Sequence, residues 1–229
     1  MSSLADVYGR VAQDNPERAK NDFYPTAPWV TFALMETEGD RIPDTVWEPA
    51  AGRGWMAAEI AKHKRTVEAT DLYRYDNPLH PTTVGIDFLK TYQSSESGPM
   101  IKGIITNPPY AKNQAEKFIK HALHALECPY LAVVCRLTFM EGMGRYKMFT
   151  QNPPTRVYAL STRFSADEEM FTKKPSSGMI AYAWFIWDYQ NGHTTDTQLK
   201  WIDGKDMVNR WKRRESSSAE AATSQTEAS

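Results

Sequence analysis

The sequence predicts an α/β domain built on a mostly parallel sheet with one antiparallel strand, and three observations carry that prediction. Short apolar, β-branched runs alternate with stretches of helical periodicity between about residue 45 and residue 187. Several of the runs end in Gly, Pro or Asp at their carboxyl side, where open α/β sheets bind their ligands. The last run, Met179 to Trp187, is long and aromatic and suits an antiparallel strand that completes the sheet.

Taken in order, Thr45 to Trp47 reads as a first strand, and a helix follows from about Gly54 to His63 with Met56 and Ile60 on its apolar face. Thr66 to Thr70 and Thr83 to Ile86 are the next strands, and Ile101 to Thr106 is the fourth. Lys112 to Leu126 is an amphipathic helix, because Ala115, Phe118, Ile119, Ala122, Leu123 and Leu126 recur at helical spacing. Tyr130 to Cys135 and Arg156 to Leu160 are further strands. The chain divides into a polar lead-in at 1–20, a domain at 21–213 and a tail at 214–229. The tail is rich in Ser, Ala, Glu and Thr without a large apolar residue, so it is expected to be disordered.

With 229 residues the chain has the length of one α/β domain. No apolar run approaches a membrane span, and residues 1–19 lack the apolar stretch of a secretory signal, which points to a cytoplasmic protein without a membrane partner. Cys128 and Cys135 imply no disulfide framework, and neither they nor the five histidines fall at metal-ligand spacing, so no metal is expected. A net charge of −1 argues against the strongly basic surface of a non-specific nucleic-acid binder. Local basic clusters remain at Lys112, Lys117 and Lys120, at Arg145 and Lys147, at Lys173 and Lys174, and at Arg210 to Arg214. Each is more often a solvated face than a phosphate contact.

Four clusters at strand ends carry the chemistry. Glu48-Pro49-Ala50-Ala51-Gly52-Arg53-Gly54 follows the first strand. Its two glycines permit a tight turn and close backbone approach, and the helix beyond offers free amides. A dinucleotide loop is the rival reading, but Ala57 stands at its third glycine position and the Glu-Pro opening does not belong to it. Asp71 ends the second strand, where a carboxylate can accept both ribose hydroxyls or merely cap a turn. Asp87-Phe88, after the third, can take an amino group and cover a ring face, or cap a short helix. Asn107-Pro108-Pro109-Tyr110, after the fourth, is the most specific. Two prolines remove two backbone donors, leaving the Asn107 side-chain oxygen and the Pro108 carbonyl as acceptors for both hydrogens of one amine. Tyr110 adds a flat surface for a planar group.

These clusters, in this order and spacing, resemble the amino-group DNA methyltransferases over roughly Asp22 to Trp187. The resemblance implies a Rossmann-like fold and S-adenosylmethionine as cofactor. It places Glu48, Ala50, Gly52 and Gly54 around the methionine part, Asp71 on the ribose, and Asp87 with Phe88 on the adenine. It makes Asn107, Pro108 and Tyr110 the grip on the target amine. Asp22-Phe23-Tyr24-Pro25-Thr26 looks like the segment that closes over the cofactor, with Tyr24 and Thr26 touching the methionine moiety.

Asn at the head of the turn favours adenine N6, hence DNA as partner, in a form as compact as phage and prophage members. Such enzymes occur in restriction-modification, and a homo-oligomer is left open. With no room for a separate recognition region, sequence reading falls to loops such as Leu137 to Arg145 and Thr162 to Gly178. There Phe164 either stacks on a flipped base or fills the core. Two other readings stand beside this one. Release-factor glutamine methyltransferases and RNA adenine enzymes share the Asn-Pro-Pro-Tyr turn, so the acceptor could be RNA or a protein amide. A non-catalytic subunit would keep the fold but usually loses one of the two motifs.

Overall fold

The computed structural model describes residues 23–92, 101–169, 171, 178–193 and 195–227. The lead-in 1–20, Asp22, Lys173 and Lys174 lie outside them. Among the described residues one sheet of eight strands forms the middle layer: β1 (Thr45–Glu48), β2 (Thr66–Asp71), β3 (Thr83–Val84), β4 (Ile104–Thr106), β5 (Tyr130–Arg136), β6 (Arg156–Leu160), β7 (Tyr182–Asp188) and β8 (Gln198–Ile202). Their order is β3-β2-β1-β4-β5-β7-β6-β8. β7 runs antiparallel between β5 and β6, as the sequence predicts, and the other pairings are parallel. The winding reverses between β1 and β4, which opens a crevice at their carboxyl ends.

Period-two alternation sends each strand's side chains to two cores. Tyr130, Ala132 and Val134 of β5, with Trp184 and Ile186 of β7, pack under α1 (Pro28–Glu38), α2 (Trp55–Lys62) and the last helix. Leu131, Val133 and Cys135, with Phe185 and Trp187, pack under α3 (Gln114–Lys120) and α4 (Met143–Gln151). Each such fully buried apolar side chain contributes about 1.5–3 kcal/mol over exposure. Two of the core indoles have their N–H groups satisfied, Trp184 donating to Val30 O at 3.1 Å and Trp47 to Thr70 Oγ1 at 2.9 Å.

Four departures from the sequence reading have physical causes. α1 is buried almost all round, so its residues show no polar face to mark it as amphipathic. α4 occupies part of the expected loop at 137–145, and β8 is a five-residue edge strand whose Leu199 and Trp201 stay exposed while only Ile202 is buried. The stretch from 214, expected to be disordered, instead continues α5 (Gly204–Glu227). Its Ala and Glu residues favour helix, and the helix is already nucleated where Val208 and Trp211 are buried. Arg214 extends the docked part, forming a two-pronged pair with the buried Glu59 at 2.7 and 2.8 Å.

At the edge of the sheet opposite the crevice, Arg156 binds both Glu38 oxygens, at 3.0 and 2.7 Å, and Asp188 at 2.7 Å. The Tyr158 hydroxyl donates to Glu38 at 2.6 Å. This paired cluster ties the end of α1 to β6 and β7. Among the described residues no helix is long and apolar enough to cross a membrane.

Candidate active site

The crevice holds a cavity of about 440 Å³. Of the residues singled out in the sequence, Tyr24, Thr26, Glu48, Ala50, Asp71, Asp87, Phe88 and Asn107 line it. Gly52, Gly54, Pro108 and Tyr110 do not, and the second proline of the turn, Pro109, lines it in place of the first.

The two glycines act on the scaffold. Gly52 (φ 56°) and Gly54 (φ 82°) both take left-handed conformations. A Cβ on Gly52 would lie 2.3 Å from the Phe23 ring, and one on Gly54 would lie 2.9 Å from His80 Cβ. The glycines thus admit close approach of two protein segments: the one at 23–26 and the turn around His80. The Gly52 amide donates to Asp71 Oδ2 at 2.8 Å, and the Tyr73 amide donates to Asp71 Oδ1 at 2.8 Å. These two bonds fix the Asp71 carboxylate and leave it further acceptor capacity. Burial still pushes its pKa up, against the pull of those amides.

Glu48, at the end of β1, is 2% exposed. Burial pushes its pKa well above the ordinary carboxylate value, the Ala57 amide opposes that shift, and the charge on Asp71 adds to it. Its Oε2 is buried without a hydrogen-bond partner among the described residues, although the residue faces the cavity. Asp87 caps the turn Phe88–Lys90 by accepting from the Leu89 amide at 3.2 Å. The Phe88 ring is 3% exposed and sits 4.6 Å from Phe118 and 5.2 Å from Trp47, so it is both core and cavity wall.

The Asn107 amide has a forced orientation. Its Nδ2 donates to Tyr24 O at 2.8 Å and to Thr26 Oγ1 at 3.0 Å. A carbonyl oxygen can only accept, so the NH₂ must face the 23–26 segment and Oδ1 must face the other way. Oδ1 accepts from the Tyr110 hydroxyl at 2.5 Å. The Tyr110 ring therefore tucks toward Asn107, 5.7 Å from Tyr24, with the Arg136 guanidinium 5.0 Å from its centroid. Beyond the turn, Lys112 (φ 53°) and Asn113 (φ 59°) are successive left-handed residues without glycine's freedom, a strained link of the kind found at functional sites.

The cavity has walls that the sequence reading did not name, including Tyr75, Gln114 and Phe118. The recurrence that places Phe118 on an amphipathic helix was visible, but not that its face meets Phe88. Phe164, offered as core or base-stacking residue, is core: it is 3% exposed and lies 4.3 Å from the Tyr182 ring. Of the loops offered for recognition, residues 137–140 form a short helical turn and α4 begins at Met143. Residues 172–177 of the second loop lie outside the described set. Arg210 and Arg214 are taken up by Glu36, Glu59 and Glu215.

No family model matches the chain, and no curated protein matches it in sequence. Solved structures do match. The methyltransferase subunit of a type I restriction-modification system from Streptococcus thermophilus superposes with a TM-score of 0.57 at 14% identity, over 85% of this chain and 53% of that one. The EcoKI M protein, a type I restriction enzyme component, gives 0.51 at 15% identity over 76% and 46%. A proposed RNA methyltransferase from Pyrococcus horikoshii gives 0.51 at 14% identity over 71% and 84%. The chain thus spans about half the length of the restriction-modification subunits it resembles. The fold is the α/β Rossmann-like fold of these methyltransferases.

Proposed function

We propose that the chain is an S-adenosylmethionine-dependent methyltransferase that modifies an exocyclic amine, with adenine N6 in DNA as the acceptor. The observation that carries this reading is the forced Asn107 amide. Its NH₂ is held by Tyr24 and Thr26, so its oxygen faces the other way, onto the Tyr110 hydroxyl, and becomes the acceptor for an amine once that hydroxyl leaves, beside the cavity that Glu48, Asp71 and Phe88 line.

The residues fit the cofactor. The idle Glu48 Oε2 suits the ammonium of its methionine part, and the spare acceptor capacity of Asp71 suits the ribose hydroxyls. Asp87 and Phe88 bound the purine end. When bound, S-adenosylmethionine supplies a methyl group on a positively charged sulfur. Asn107 Oδ1 and the Pro108 carbonyl then accept the two hydrogens of the target amine, which draws the nitrogen out of conjugation and aims its lone pair. No general base acts beforehand, because the proton can leave to water after transfer. The Tyr110 hydroxyl must first leave Oδ1, which frees the ring to stack on the target base and offset part of the cost of extruding it.

DNA is favoured by the joint presence of the Glu-Pro loop, the Tyr-Pro-Thr segment and Asn at the head of the turn. Radiolabelled methyl transfer to DNA, RNA and a protein extract tests the acceptor, and base-resolved methylation mapping in expressing cells tests the atom. Asn107→Ala is expected to cut transfer by at least about 10²-fold, the scale of losing one preorganised polar contact to a reacting group, and Tyr110→Ala by about tenfold or more, the scale of losing one stacked base contact. S-adenosylmethionine binding should survive in both. Activity retained in both variants would remove the mechanism.

A further inference from the structure

The purine end of the cavity contains an acceptor that the motif reading does not use. Each Asp87 oxygen already has one partner, Oδ1 accepting from the Leu89 amide at 3.2 Å and Oδ2 lying 3.1 Å from the exposed Lys90 Nζ, whereas a second acceptor nearby has none. Gln114 opens α3 and lines the same cavity. Its Oε1 is buried and has no hydrogen-bond partner among the described residues. Gln114 and Phe118 are four residues apart and share one helix face. The Phe118 ring touches that of Phe88, so the Gln114 amide belongs to the Phe88 end of the cavity. A buried carbonyl without a donor is costly unless a ligand supplies one.

We propose that Gln114 reads the amino group of the cofactor's purine, its Oε1 accepting one of the N–H hydrogens while Phe88 and Phe118 wall the ring. The assignment rests on the methyltransferase reading above. It makes Gln114, rather than Asp87, the residue that separates an adenine from a 6-oxopurine, which presents a carbonyl oxygen where adenine presents a donor.

Calorimetric binding of S-adenosylhomocysteine and S-inosylhomocysteine to the full chain tests this without any acceptor. The native chain is expected to prefer the adenosyl compound by about tenfold or more, the scale of one hydrogen bond made against one acceptor left facing another. Gln114→Met, similar in length and a good helix former, should weaken S-adenosylhomocysteine binding about tenfold and erase the preference. Gln114→Glu keeps an acceptor at the same reach and should keep the preference. A thermal melt of each variant confirms that it is folded. A Gln114→Met chain that still discriminates overturns the proposal and returns the role to Asp87, and a native chain that binds both compounds equally also overturns it. A native chain that binds neither sinks the methyltransferase reading itself.

Discussion

Glu48 is a carboxyl group placed where the unliganded protein gains nothing from ionising it. Its pKa is raised by burial in the folded chain relative to the ordinary value of 4.5, so the folded state holds the proton more tightly than the unfolded state does. Stability therefore falls as pH rises from about 4.5 toward the raised value, and the full cost is present above it. Glu48→Gln removes that cost. It is expected to raise Tm by about 2–4 °C at pH 8, a gain of order 1 kcal/mol that vanishes near pH 4, while S-adenosylmethionine binding is lost. Thermal melts across pH, paired with calorimetry, check both halves; a destabilised variant would show that Glu48 serves the fold instead. At this scale much of the site was legible, because Gly52, Gly54, Asp71, Asp87 and Asn107 are residue types chosen for backbone freedom or polarity where strands end. Tyr75 and Gln114 were not legible, since a loop tyrosine and a glutamine at a helix start look ordinary until folding brings them to one cavity. The commitment of Tyr110 to Asn107 was hidden for a related reason, because a motif gives the residues of a turn and not their side-chain rotamers.

The last helix shows where composition misleads at the level of an element. Its docked part ends near Arg214 and Glu215, which hold Glu59 and Lys62 of α2, whereas Ser216 to Ala221 are exposed. Glu59 is only 1% exposed, and among the described residues its other cationic neighbours are His63 and Lys62. Arg214→Met is expected to cost about 3 kcal/mol, or roughly 6–12 °C in Tm, because it strands a buried charge. A chain ending after Glu215 should melt like the full chain, and one ending after Arg213 should melt like Arg214→Met. Equal melting of the two truncations would refute this anchoring. The strands were legible because short β-branched runs between Gly, Pro and Asp leave few alternatives. α1 and β8 escaped for different reasons: α1 is buried almost all round and shows no polar face, and the alternation in β8 spans only five residues, with Leu199 and Trp201 on an exposed edge.

At the scale of the molecule, the sheet has two ends with different duties. One is closed by the paired Glu38, Arg156 and Asp188 cluster, and the other opens into the cavity, where Glu48 Oε2 and Gln114 Oε1 await donors. A ligand that meets those acceptors should stabilise the whole fold. S-adenosylhomocysteine at about 100 times its Kd is expected to add roughly 2.7 kcal/mol, a rise of about 5–11 °C in Tm. A melt that does not move with ligand concentration would deny the cavity this role. The phenol latched onto Asn107 has its own consequence for what can enter. On the reading proposed above, an entering amine would take the place of that hydroxyl on Oδ1, and the displaced phenol would need a new surface to rest on. A small amine without a ring would leave the tyrosine stranded, whereas a flat base would give it a face to cover, so the latch would favour planar guests over small ones.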